Sequence, residues 1–334
     1  MFKKRFFLFL ILNIICTFNI SLSDEKNLNS SISNENINNN RILRIAIEPI
    51  LLNLMSKFSD NFTHQISYLK INNINERYDS IRKICQNEDI SFLIVTKSLN
   101  EYEKFLCSRY NNSELLEEKI GYYGFVFVTS NSEDLIELTS STIFKALSIH
   151  SIKNIADRNE QYQSWKEIHK SFPDQKIQIY GPFMELPEFE FLLKSLVITQ
   201  CMSNPYNQDN FSDFFQLEKF CREIKKDGTY SGESLDGRII LEKILNEKNA
   251  FGIVPYHIYE RNKDSFFLKR FDGVTPSQDN ILNNRYSLSY PIFIYYKKGV
   301  SNSMINDFLK EIKNSYIIGE NGLLANHGLI SLKN

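Results

Sequence analysis

Residues Lys176–Ile198 read KIQIYGPFMELPEFEFLLKSLVI, and this stretch decides the fold. Ile177, Ile179 and Tyr180 make a short strand. Gly181-Pro182 breaks it, because glycine permits unusual φ values and proline fixes φ while lacking an N–H. Pro187 suits the first turn of a helix, where a missing N–H costs nothing. Phe189, Leu192, Leu193 and Leu196 then recur at helical spacing. A strand, a sharp turn and a helix in this order aim unpaired backbone N–H groups at one point, which is a place for an anion.

Outward from this unit the same alternation repeats. Toward the N-terminus, Ile42, Leu43, Ile45 and Ile47 form a strand, and Glu48-Pro49 opens a helix reaching about Phe58. Ile66 to Ile71 reads as a strand and Arg77 to Cys85 as a helix. Phe92-Leu-Ile-Val95 is a continuous apolar run of the buried parallel type. Gly124 to Thr129 is another buried strand, and Ser140-Ser141-Thr142 caps a helix ending near Leu147. Trp165 begins a further helix. Toward the C-terminus, Asn204 to Phe215 reads as a loop with a short helix, and Phe214 to Ile224 has helical spacing. Gly228, Gly232 and Gly237 mark a looser stretch before a helix at Arg238 to Leu245. Phe251 to Val254 and Pro291 to Tyr296 are strands, and Met304 to Tyr316 is an amphipathic helix. Alternating strands and helices without a long linker predict an α/β fold with parallel sheets, in two lobes joined by crossing strands.

Composition narrows the class. The chain has 334 residues, 42% of them hydrophobic, which is enough for two ordinary domains. A net charge of −1 argues against bulk nucleic-acid binding, which needs a basic face. Lys3, Lys4 and Arg5 followed by an apolar run from Phe6 to Cys16 read as a signal peptide over residues 1–23. The run is shorter than the roughly 20 residues a membrane span needs. Small Ser21 and Ser23 place the cut before Asp24. Residues 24–40 are polar, rich in Asn and Ser, and read as a disordered leader. Four cysteines remain after cleavage: Cys85, Cys107, Cys201 and Cys221. An even count in an exported chain points to disulfides, with three pairings open. The local pairing closes two loops of about twenty residues, each worth about 3 kcal/mol by loop entropy. His64, His150, His169, His257 and His327 show no zinc-ligand spacing, and the chain has no G-x-S-x-G elbow and no P-loop. The reading is therefore a protein without catalytic residues, metal or cofactor.

The order of motifs resembles the PstS-like, phosphate-type periplasmic solute-binding proteins of ABC importers, which have the type II periplasmic-binding fold. Ile84-Cys85 through Glu88-Asp89-Ile90 is similar to the family segment FC-x-GE-x-DI, and Thr96-Lys97-Ser98-Leu99 stands where the family has Ser-Arg-Pro-Ile. Gly121 to Val128 is similar to AYDGLVVVVN. Leu138-Thr139 with the helix after it follows LTxxEL. Trp165 with Pro173 follows WxxxxxxxP, and Ile179 to Pro182 follows LYGP. Ala250 to Ile253 follows ALGY, and Tyr286 to Tyr295 follows YPLSRPLFIYV. No one motif is specific, but their order and spacing together are. The resemblance implies one lobe from residues 41–127 and 254–334 and a second from 128–253, closing on a small solute by a hinge motion. It implies a monomer in the periplasm, or released from the cell, that delivers its solute to a permease in the inner membrane. It also implies the pairing Cys85–Cys107, since Cys107 falls at a second cysteine of some members.

The resemblance places the ligand loops at Glu48 and Ile50, at Thr96 and Lys97, and at Glu185, Leu186 and Glu188, with Arg238 near a family Asn. Three departures stand out. Ile47-Glu48-Pro49-Ile50 replaces Gly-Ser-Ser-Thr, and Leu186-Pro187-Glu188 replaces Ser-Gly-Thr. In both, hydroxyls are lost, a backbone donor is deleted and a carboxylate arrives. The middle loop keeps a hydroxyl and a cation but exchanges Ser-Arg for Thr-Lys. Two like charges 4 Å apart repel by about 1 kcal/mol in water and about 4 kcal/mol at the effective dielectric near a protein surface. Acidic residues are also favoured in the first turn of any helix. The expectation is a solute-binding protein of this type. The alternative is an exported interaction protein that keeps the fold without binding phosphate, or takes another solute such as a cation or amine.

Overall fold

A computed structural model describes residues 43–62, 69–73, 77–86, 90–110, 114–132, 135–151, 160–233, 237–247, 249–299 and 303–332. The expected signal peptide and leader, and Ile66 to Tyr68 of the expected second strand, lie outside these residues. The fold is mixed α/β. Its strands are β1 Leu43–Ile47, β2 Leu69–Asn73, β3 Phe92–Val95, β4 Leu115–Thr129 and β5 Ile179–Gly181. They continue with β6 Tyr230–Gly232, β7 Phe251–Pro255, β8 Phe267–Leu268, β9 Ser289–Lys297 and β10 Ile330–Ser331.

The spatial order is β2-β1-β3-β9-β4-β7-β5-β6, with β8 and β10 on β4. β1 is parallel to β2 and β3, and β5 is parallel to β6 and β7. The strands between them, β9 and β4, pair antiparallel, so parallel half-sheets are joined by antiparallel crossing strands. β4 carries the join. Its residues Leu115 to Gly124 pair with β9, and Phe125 to Val128 pair with β7. One strand therefore serves two half-sheets, which is what makes the architecture two-lobed. The apolar run Gly124 to Thr129 is only the C-terminal part of this strand. Its first residues, LLEEK, are half-buried or exposed and carry no continuous apolar signal.

Side-chain alternation explains the layers. Ile45, Ile47, Phe92 and Ile94 face one core. Ala46, Leu93 and Val95 point the other way, onto Ile81, Ile84, Cys85, Leu99 and Cys107. That second face is covered by helices Arg77–Gln86 and Glu101–Arg109, which a disulfide between Cys85 and Cys107 joins. A second disulfide joins Cys201 to Cys221, tying helix Thr199–Met202 to helix Phe214–Cys221. Helix Ser303–Ile312 seals the first core, with Phe308 against Phe92 at 4.2 Å and Phe58 at 5.4 Å.

The strand–turn–helix at Lys176–Ile198 forms with two differences: its strand is Ile179–Gly181, leaving Ile177 outside and Gly181 within, and its helix is not regular throughout. Gly181 is required, because a Cβ there would collide with the Tyr230 ring, whose hydroxyl donates to the Pro182 carbonyl at 2.6 Å. Helix Pro187–Leu193 then widens to a π-type segment, Lys194–Ile198, before Thr199–Met202. Leu196, Val197 and Ile198 are buried in succession there, which a regular α-helix does not allow on a single face. Elsewhere, the cap of helix Ser140–Leu147 is Thr139 rather than Ser140 to Thr142, its side chain accepting from the Thr142 N–H. The C-terminal helix stops at Ile312, and Asn314 caps a separate turn, Ser315–Ile318.

Candidate functional site

Parallel strands β1 and β3 end side by side, with Ile47 opposite Ile94. Their next residues are Glu48 and, two positions past Ile94, Thr96. The Glu48 N–H still follows the sheet, donating to the Ile94 carbonyl at 3.0 Å. Pro49 then starts the short 3-10 turn Pro49–Leu51, and its fixed φ leads the chain away from the sheet. This sends the Glu48 side chain across the end of β3. One carboxylate oxygen of Glu48, Oε2, accepts from the Thr96 N–H at 2.8 Å and the Thr96 hydroxyl at 2.6 Å. The other, Oε1, accepts from Arg77 Nη1 at 2.9 Å.

Arg77, at the first position of its helix, organises the rest. Its Nε donates to Glu103 Oε1 at 2.7 Å, and its Nη2 to Glu103 Oε2 at 3.3 Å. Nη2 also reaches the carbonyls of Lys97 at 3.1 Å and Ser98 at 3.4 Å. Glu103 closes a capping box with Asn100, each side chain accepting from the other's backbone N–H at 2.8 Å. Burial works against the Arg77 charge, but the bonds to Glu103 and Glu48 outweigh it and hold the pKa above its ordinary value. Burial likewise opposes the Glu103 carboxylate, and Arg77 with the Asn100 N–H holds its pKa below the usual range.

The other half-sheet contributes Glu188. Leu186 precedes helix Pro187–Leu193 with extended backbone, and its carbonyl accepts from the Phe189 and Glu190 N–H groups. Glu188 sits in the first turn, and burial pushes its carboxyl pKa up against the pull of its own backbone N–H. The helix packs against the Pro49–Leu51 turn, so the two expected loops meet. Beneath them, Tyr123 of β4 and Tyr290 of β9 are register partners and stack at 5.8 Å. Phe191 packs edge-on to Tyr290 at 4.9 Å. The Tyr290 hydroxyl is buried with no hydrogen-bond partner among the described residues. Burial raises its pKa well above the ordinary value, and the neighbouring Tyr123, then the charges of Glu188 and Glu48, add to this.

Of the expected ligand residues, Glu48 and Thr96 touch directly, and Lys97 joins them through its carbonyl. Glu188 shares their electrostatic neighbourhood. Ile50 is half-buried against the core, Leu186 is half-buried, and Glu185 is exposed. Arg238 is exposed at the start of helix Arg238–Asn246. Arg77, Glu103, Tyr123 and Tyr290 escaped the sequence reading. Two signals were present. Asn100-x-x-Glu103 has the form of a capping box, and a cation at a helix start opposes the helix dipole. Among the described residues no group of three His, Cys, Asp or Glu side chains could hold a metal. No helix there is long and apolar enough to cross a membrane.

Two half-sheets sharing a crossing strand, with helix starts from each meeting at the crossing, define the two-lobed periplasmic-binding class of α/β protein. The chain belongs to the family described as the PBP superfamily domain, whose model matches residues 41–314. Among curated relatives it is similar to the phosphate-binding protein PstS of Staphylococcus haemolyticus, with 25% identity over 201 residues. That match covers 58% of this chain and 52% of the relative, so the chain spans about half the length of that protein. Among solved structures it is similar to a possible phosphate-binding protein of Planctomyces limnophilus (TM-score 0.66, 16% identity), covering 87% of this chain and 93% of that one. It is also similar to PstS of Borrelia burgdorferi (TM-score 0.57, 15% identity), covering 88% of this chain and 100% of that one. These two structural likenesses establish the fold.

Proposed function

We propose that this protein is the exported solute-binding component of an ABC importer of the phosphate type. It holds one small solute between lobes made of residues 41–127 with 254–334 and residues 128–253, and passes it to a membrane permease by a hinge motion. The observation that supports this best is the convergence at the strand crossing. Glu48 bonds Thr96 at the end of β3, and the helix that carries Glu188 packs against the Pro49–Leu51 turn that follows Glu48. The named function of the curated relative fits the same reading. Thermal melting of the purified protein against a panel of inorganic oxyanions, amino acids and polyamines tests it. A solute of this site raises Tm in a concentration-dependent way, by the linkage of binding to folding. A flat response across the panel contradicts it.

The Glu48–Thr96 bonds favour a second reading of the solute itself. Donors suited to an oxyanion already have an acceptor, as they would in an exported protein that has given up phosphate for another ligand or for a protein partner.

A further inference from the structure

The donor set at the end of β3 has the composition of an oxyanion site. A backbone N–H, a hydroxyl and a guanidinium converge within 2.6–2.9 Å of two oxygens. Such charge-assisted bonds are the short, strong kind. The oxygens belong to Glu48, on the neighbouring strand of the same half-sheet. We propose that Glu48 is a tethered occupant of this site: its carboxylate stands in for a bound oxyanion, and it sets the specificity of the cleft by excluding phosphate.

Two features of the molecule support the assignment. Glu48 is held by the β1 ladder through its own N–H, so its side chain is delivered to Thr96 by the sheet. A tethered group competes at an effective concentration that is already millimolar for a flexible short link and higher for a rigid one. A free oxyanion must therefore displace a group that is always present. Second, the site does not depend on Glu48 for its shape. Thr96 is fixed at the end of β3, and Arg77 is held independently by two bonds to Glu103 and by the Lys97 and Ser98 carbonyls.

This inference rests on the reading of the cleft as a solute site, and a variant separates the two. Glu48→Ala leaves the N–H, the hydroxyl and the guanidinium in place and empties the position between them. Isothermal titration with inorganic phosphate should show at least a tenfold gain in affinity for Glu48→Ala over the native protein. Adding Thr96→Val to that variant should abolish the gain. Glu48→Gln keeps the side-chain shape but loses the charge and turns one acceptor into a donor facing Arg77; it should gain less than Glu48→Ala, and it serves if the alanine variant fails to fold. A folded Glu48→Ala that binds phosphate no better than the native protein overturns the proposal, as does micromolar phosphate binding by the native protein. If the panel of solutes gives no response but Glu48→Ala gains phosphate, the solute-binding reading falls and the tethered occupant stands. If the panel finds a solute and Glu48→Ala gains nothing, the reverse holds.

Discussion

Arg77 grips Glu103 through two guanidinium nitrogens, Nε at 2.7 Å and Nη2 at 3.3 Å. The Glu103 side chain is only 3% exposed. This pair connects helix Arg77–Gln86 to helix Glu101–Arg109 and holds the guanidinium beneath Glu48. Breaking a buried pair by removing one partner leaves the other uncompensated, at a cost of 3–5 kcal/mol. Arg77 keeps Glu48 and some solvent, so Glu103→Ala should cost about 3 kcal/mol, the low end of that range. Urea unfolding of native and variant protein measures it.

A fall in stability with acid should trace to His257. Burial pushes its pKa down to about 4, helped by the charges of Arg261 and His327, and its Nδ1 is buried without a partner among the described residues. The folded-state pKa is depressed, so the folded protein resists a proton that the unfolded chain accepts. Stability from this residue is present above the unfolded value of 6.5 and is lost as pH falls toward about 4. The full loss is on the order of 3 kcal/mol. His257→Phe should flatten the dependence of Tm on pH between these values. An unchanged slope would assign it to other groups.

The Tyr290 hydroxyl offers a contrasting test. It contributes no hydrogen bond to the described structure, so Tyr290→Phe should leave stability within about 0.5 kcal/mol of native, or raise it. A solute that uses this hydroxyl loses affinity in the same variant. Loss of solute affinity without loss of Tm would place the solute at the β4–β9 crossing.

The two disulfides close loops with sequence separations of 22 and 20. Replacing either pair by serine should cost about 2–5 kcal/mol. Peptide mapping without reduction should recover Cys85 with Cys107 and Cys201 with Cys221.

Much of the fold could be read locally. The apolar run of β3 and the Gly-Pro turn with its helix are signals carried by adjacent residues. Helix Glu101–Arg109 was hidden because Tyr102 and Phe105 are 61% and 51% exposed, so its apolar residues do not trace one buried face. The site was legible in its loops but not in its bonds. Glu48, Thr96 and Glu188 stand out as substitutions in ligand loops. Arg77 does not, because its partners lie 26 and 29 residues away and only the packed sheet brings them together. Tyr290 reads as one more apolar strand residue until the crossing of β4 and β9 buries its hydroxyl without a hydrogen-bond partner among the described residues.

The most direct test is isothermal titration of the native protein with inorganic phosphate. With Glu48 seated on Thr96 and Arg77, the account predicts no measurable heat at micromolar phosphate. Saturable binding with a micromolar or tighter Kd would contradict it.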